Sequence, residues 1–248
     1  MTPSFNKKIA SVSLSIFSLS LLMPFAVFAE ESTKTNGRNF CTKLPEISTK
    51  LTSGISDRDL KLEGKRIERS GKIVHKRQEN DEKRTINRSD RDINHDTRYK
   101  ELEMRATTDA QKAALATFKT SMDAATTKRR TAIDTAVQTF RTGVDILITS
   151  RKTTIDGFVT EFTTSANTAL AKAQADCASG VSSKTARATF EASMKTAREK
   201  FNTSRKALDK NTRGIQALTT ARKTAVDAAI STFKIDVETA RTALKAAF

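Results

Sequence analysis

The amino-acid sequence predicts an all-α, elongated protein, and three observations carry that expectation. From Gln111 to Ala173 the side chains facing one way recur at spacings of four, three and four. The rows are Gln111, Leu115, Phe118; Met122, Thr126, Arg129; Ile133, Val137, Phe140; Val144, Ile148, Arg151; Ile155, Val159, Phe162; and Ala166, Leu170, Ala173. Eleven residues in three turns is about 3.67 per turn, so such a seam stays on one face of a nearly straight helix. Composition is the second observation: no Trp, one Tyr and three Pro in 248 residues argue against a sandwich, a barrel or a doubly wound sheet. The third is the placement of the only two cysteines, Cys41 and Cys177, symmetrically about residue 109.

Residues 1–29 carry Lys7 and Lys8 before an apolar run from Ile9 to Phe28, then Val27-Phe28-Ala29 before two glutamates. This is the pattern of a secretory signal peptide cut after Ala29, with an uncleaved membrane anchor as the alternative. Residues 30–39, rich in Glu, Ser, Thr and Lys, read as a flexible leader. Phe40, Leu44, Ile47, Leu51 and Ile55 then begin a helix, with Pro45 accommodated near its start.

From Asp57 to Arg105, 27 of 49 residues are charged, 15 basic and 12 acidic, closely interleaved. Opposite charges three and four apart support a long solvated helix at about 0.2 to 0.5 kcal/mol per pair. Its sparse apolar residues, Leu60, Ile67, Val74, Ile86 and Ile93, are expected to face a partner helix. Gly64 and Gly71 lie between them, where they either admit a close neighbour or weaken the helix.

The charge density drops at 106–109, and Thr108 with Gln111 has capping-box spacing, which predicts a turn. The seam follows. A repeat of 22 is superposed on it: Arg129-Arg130-Thr131-Ala132-Ile133-Asp134 leading to Phe140 matches Arg151-Lys152-Thr153-Thr154-Ile155-Asp156 leading to Phe162. A third copy, Arg222-Lys223-Thr224-Ala225-Val226-Asp227 leading to Phe233, lies near the end. Residues 177–183 supply a Gly stop and Ser caps. Over 184–248 two further apolar stripes, Phe190 to Leu208 and Val226 to Ala247, alternate by four and three around an interruption at Asn211-Thr212-Arg213-Gly214.

These elements predict a long antiparallel helical hairpin over 40–176, with its turn near 106–109. A shorter C-terminal hairpin over 184–248 is expected to fold back on the cysteine end, giving a partial four-helix bundle that continues into a two-helix stalk. Export to an oxidising compartment favours a Cys41–Cys177 disulfide over an intermolecular bridge or a metal site. With the turn at residue 109, facing residues have numbers summing to about 218, which sets Val74 on Val144, Leu60 on Phe158 and Ile86 on Ile133. The seam arginines Arg129 and Arg151 then meet the acidic partners Asp90 and Glu68.

No phosphate loop, nucleophile elbow, zinc-protease helix or paired-cysteine redox motif is present. The expectation is a non-enzymatic chain with no cofactor and no metal. Loss of Lys7 and Lys8 with the signal peptide lowers the net charge from +16 to +14, and residues 106–248 carry 23 basic against 13 acidic side chains. The first functional reading is an exported structural or interaction rod, secreted, periplasmic or on the cell surface. Its partner would be a protein or another envelope component, or a second copy in a homo-oligomer. The alternative is a polyanion-binding module acting on nucleic acid, anionic lipid or wall polymer.

The pieces Asn39-Phe40-Cys41, Arg105-Ala106-Thr107-Thr108-Asp109-Ala110-Gln111-Lys112-Ala113-Ala114 and Leu244-Lys245-Ala246-Ala247-Phe248 resemble signal-bearing, charge-rich helical bacterial proteins, a group to which no function is attached. Apolipoproteins also use 11- and 22-residue amphipathic repeats. This chain departs from them in lacking Pro punctuation and in its narrow, Thr-rich apolar stripe.

Overall fold

The computed structural model describes residues 39–208 and 212–248; the expected signal peptide and the leader up to residue 38 lie outside them. The chain is all-α, with four helices: α1 (Phe40–Arg105), α2 (Asp109–Ala178), α3 (Ser183–Leu208) and α4 (Thr212–Lys245). Two of them are very long, 66 and 70 residues, or about 100 Å each at 1.5 Å per residue.

Local chemistry explains where the long helices stop. At the α1–α2 turn the Thr108 hydroxyl accepts from the Gln111 backbone N–H at 3.2 Å, and Gln111 Oε1 accepts from the backbone N–H groups of Thr107 and Thr108 at 3.0 and 3.2 Å. The expected capping box is therefore formed, and it satisfies donors that the first turn of α2 cannot. At the other end of α2, Gly180 adopts φ +84°, a left-handed conformation that ends the helix and lets the Val181 N–H reach the Asp176 carbonyl. Ser182 then caps α3 by accepting from the Thr185 N–H at 3.2 Å. Pro45 falls in the second turn of α1 rather than the first, where it removes the N–H that would reach the Cys41 carbonyl.

Helix α2 is the spine, touching each of the other three. The Cys41–Cys177 bridge forms, with the two Cα atoms 5.6 Å apart, and it clips the start of α1 to the end of α2. Around it α1, α2 and α3 enclose the main core, in which Phe40, Leu44, Leu51, Phe162, Leu170, Phe190, Met194 and Phe201 are buried. Ring pairs Phe40–Phe190 at 5.8 Å and Phe162–Phe201 at 6.0 Å lock α3 to the other two helices. Short side chains Ala166, Ala169, Ala173 and Ala186 let the helices approach closely there.

The expected C-terminal hairpin is not formed. Helix α4 does not fold back on α3; it continues in the same direction along α2. On α2 and α3, Phe162 meets Phe201; on α2 and α4, Leu147 meets Gly214, Gly143 meets Leu218, Phe140 meets Arg222 and Arg129 meets Phe233. Each pair of numbers sums to between 361 and 363, so α3 and α4 share one antiparallel register against α2. Helices α3 and α4 are thus two segments of one pass, and the fold is three passes rather than two hairpins. The reason lies in α1. Over residues 62–95 its inward face is largely charged, so it cannot cover the apolar row of α2, and α4 covers it instead. The inward residues of α4, among them Ala229, Val237 and Ala240, keep the eleven-residue spacing, and Ile230 of the expected heptad stripe stands 38% exposed.

Candidate interaction surface

The contact between α1 and α2 is ionic through its middle. Arg66, Arg77 and Arg88, eleven residues apart on α1, bond Asp156, Asp145 and Asp134, eleven apart on α2, at 2.6, 2.8 and 2.8 Å. The reverse polarity is interleaved: Arg141 and Arg130 of α2 bond Asp81 and Asp92 of α1 at 2.7 and 2.5 Å. Four of these five pairs are two-pronged, the planar guanidinium matching the planar carboxylate. The facing numbers sum to 222 at every rung, within one helical turn of the expected 218. Bonds from Arg141, Arg130 and Arg88 hold the Asp81, Asp92 and Asp134 carboxyls below their usual range. Burial pushes Asp156 the other way, but bonds from Arg66 and Lys152 leave it lowered as well.

One rung further toward the turn, Tyr99 stands where the next arginine would be. It is buried against Phe118, ring centroids 6.1 Å apart, and burial, with Asp123 and Asp96 nearby, pushes its phenol up to about 12. A groove of about 510 Å³ lies along the ladder, lined by Asp81, Arg84, Arg88, Asp134, Gln138 and Arg141, and its carboxylates are already held by arginines.

Arg129 does not meet the acid expected for it. Arg129 stacks on the Phe233 ring of α4, its guanidinium carbon 3.8 Å from the centroid, and the charges bearing on it are Arg91, Arg130 and Arg88. Burial together with these cations lowers its pKa. Asp90 is exposed on α1, and Glu68 is bonded to Lys72 on its own helix. Arg151 is half-buried on α2. The contact of Arg129 has a mirror image: Arg222 of α4 stacks on Phe140 of α2 at 4.4 Å. Two copies of the 22-residue motif therefore pack on each other head to tail, the arginine of each covering the phenylalanine of the other. Cation–π contacts of this kind contribute about 0.5 to 2 kcal/mol depending on desolvation.

The expected apolar contacts of α1 with α2 are also replaced. Leu60, Ile67, Val74, Ile86 and Ile93 point away from α2 and stand 70%, 66%, 59%, 54% and 62% exposed. They do not meet Phe158, Val144 or Ile133, because the arginine row of α1 takes the inward positions. A Cβ added at Gly64 or Gly71, on the same outer face, would meet nothing within 4 Å. Helix α1 thus has two faces of different chemistry, an ionic one covered by α2 and a more apolar one that nothing among the described residues covers.

The period of eleven that places these residues is present in α1 as well as α2. Arg66, Arg77, Arg88 and Tyr99, and opposite them Asp156, Asp145, Asp134 and Asp123, repeat at that spacing. Counting apolar residues alone passes over it, because the repeating unit on α1 is a charge. Among the described residues no three His, Cys, Asp or Glu side chains gather as a metal site, and no helix is long and apolar enough to cross a membrane. No family model, no curated protein and no solved structure matches the chain.

Proposed function

We propose that the protein is a non-enzymatic helical rod, exported to the cell envelope or beyond, that holds or spaces partners along its length. The observation that supports this reading is the construction of the α1–α2 hairpin. A disulfide at one end, a capped turn at the other and five ionic rungs between them hold about 100 Å of paired helix with few apolar contacts. Such a design sets length and direction rather than enclosing a substrate. Small-angle scattering of the chain from Glu30 onward is the test. A maximum dimension near 100 Å, unchanged between low and moderate salt, is expected; a compact particle of about 60 Å would sink the reading.

One observation favours a second reading, polyanion binding. Arg88 and Arg91 of α1 gather with Arg129 and Arg130 of α2, beside the contact of Arg129 with α4. Two of them are already bonded to Asp134 and Asp92, which reduces the charge they offer a ligand. Binding to DNA and to anionic vesicles, titrated with salt, separates the two readings. Affinity that persists near physiological ionic strength and falls steeply above it is the signature of the second.

A further inference from the structure

The uncovered face of α1 has an internal symmetry. Leu60, Gly64, Ile67 and Gly71 open a row at spacings of four, three and four, and Glu82, Ile86, Ser89 and Ile93 close it at the same spacings. Reversed end for end about the point between residues 76 and 77, three of the four pairs match, Leu60 falling onto Ile93, Gly64 onto Ser89 and Ile67 onto Ile86. Gly71 falls onto Glu82, where the glycine leaves room for the longer side chain. We propose that this face pairs with the same face of a second copy, antiparallel, in a two-fold homodimer whose central contact is α1 on α1. In such a pair Gly64 lies level with the second copy's Ser89 and Ile67 with its Ile86, so the small positions let the backbones approach and the isoleucines fill the seam between them.

Charge selects the direction. On one flank of the row Asp57, Glu68, Glu79 and Asp90 recur every eleven residues, and just outside them on the same flank Lys61, Lys72 and Lys83 recur at that period. All but Glu79 are exposed, and Glu79 is partly so. Two antiparallel helices bring like flanks together. Glu68 then faces Lys83 of the second copy, Glu79 faces Lys72 and Asp90 faces Lys61, the numbers summing to 151 each time, and the two-fold axis doubles the set. A parallel pair would set the acidic flank against the opposite one, which carries Glu63 and Asp96, acid against acid. The size is adequate: contact from residue 60 to residue 93 runs about 50 Å and would bury roughly 700–800 Å² per copy, close to what stable interfaces use. The symmetry is isologous, so the assembly closes at two.

The inference rests on the rod reading, of which it names the partner, and its test is chosen to fail separately. With the Cys41–Cys177 bridge intact, sedimentation velocity on the chain from Glu30 should show a dimer at micromolar concentration. Ile67→Glu with Ile86→Glu, both exposed in the single chain, should raise the dissociation constant at least about tenfold while leaving the helical circular dichroism unchanged. Direction is read by cross-linking: Gln78→Cys should bridge to itself, and Leu60→Cys should bridge to Ile93→Cys in a mixture but not to itself. A wild-type chain that stays monomeric at about 100 μM, a dimer indifferent to the double substitution, or self-bridging at Leu60→Cys would each overturn the proposal. A monomer that still measures about 100 Å by scattering would overturn it and leave the rod reading in place.

Discussion

Arg129 stands in the row that also holds Phe118, Phe140 and Phe162, Arg222 stands one step of eleven before Phe233, and each finds the phenylalanine of the opposing helix rather than a carboxylate. A half-buried guanidinium on an aromatic face keeps its donors toward water while its flat side is covered, which an apolar row tolerates better than a buried ion pair. A double-mutant cycle measures the contact: Arg129→Met and Phe233→Leu should show a coupling of about 0.5 to 1 kcal/mol in chemical denaturation. Arg129→Met alone should cost less than about 1 kcal/mol, because burial and the neighbouring arginines already disfavour the charge there.

The ladder aspartates behave differently. Asp81, Asp92 and Asp134 are held below an unfolded value of about 3.9, so they bind protons more weakly in the folded chain, and the stability they contribute is present above that value. It is lost as pH falls through the folded values. The carboxylates are between 42% and 49% exposed, so each pair contributes at most about 1 kcal/mol. The melting temperature should hold level from pH 7 to about pH 5 and drop below about pH 4, and Asn at all three positions should flatten that drop.

At the scale of the helices, glycines that look alike in sequence have opposite consequences. A Cβ on Gly143 would come 2.5 Å from Leu218 Cδ2, so α4 approaches α2 across that glycine, while a Cβ on Gly157 would meet nothing within 4 Å. Gly157→Ala should stabilise by about 0.5 to 1 kcal/mol through helix propensity alone. Gly143→Ala has the same propensity gain but must displace Leu218, so the two variants should differ by about 1 kcal/mol or more in thermal or chemical melts. Sequence patterns reveal the helices themselves well. The α2 seam, the Thr108–Gln111 cap, the Gly180 stop and the cysteine pairing all rest on local spacing or on symmetry about one turn, and these survive in three dimensions. The partner of each face is less legible. Leu60, Ile67 and Val74 look like the buried stripe of α1 because they are apolar, yet a row of arginines matched to a row of aspartates at the same period competes for the inward positions and takes them. Nor does the break near Asn211 declare itself a turn or a joint, since both need the same residues; what decides is the uncovered row on α2 beyond it.

At the scale of the whole molecule, the disulfide joins residues 136 apart and so constrains more than half of the chain. Chain-entropy estimates put its stabilisation at roughly 4 to 5 kcal/mol for a loop of that length. Replacing Cys41 and Cys177 by Ala should lower the denaturation midpoint by a corresponding amount, with the earliest loss of hydrogen-exchange protection in residues 40–55. Three passes also put Phe40 and Phe248 at opposite ends of the rod, where two hairpins would have returned the chain to the end it started from. A load applied between those two residues therefore runs along the long axis. The bridge carries it from Cys41 to Cys177 and on through residues 179–182 into α3, so α1 and nearly all of α2 are bypassed, and α3 with α4 carry the tension along their own axes. As these helices extend, their contacts with α2 are strained lengthwise, along every row of the seam at once, and are not peeled apart turn by turn. The contacts Phe162–Phe201 on α3 and Arg129–Phe233 on α4 mark the two segments that share this load in series.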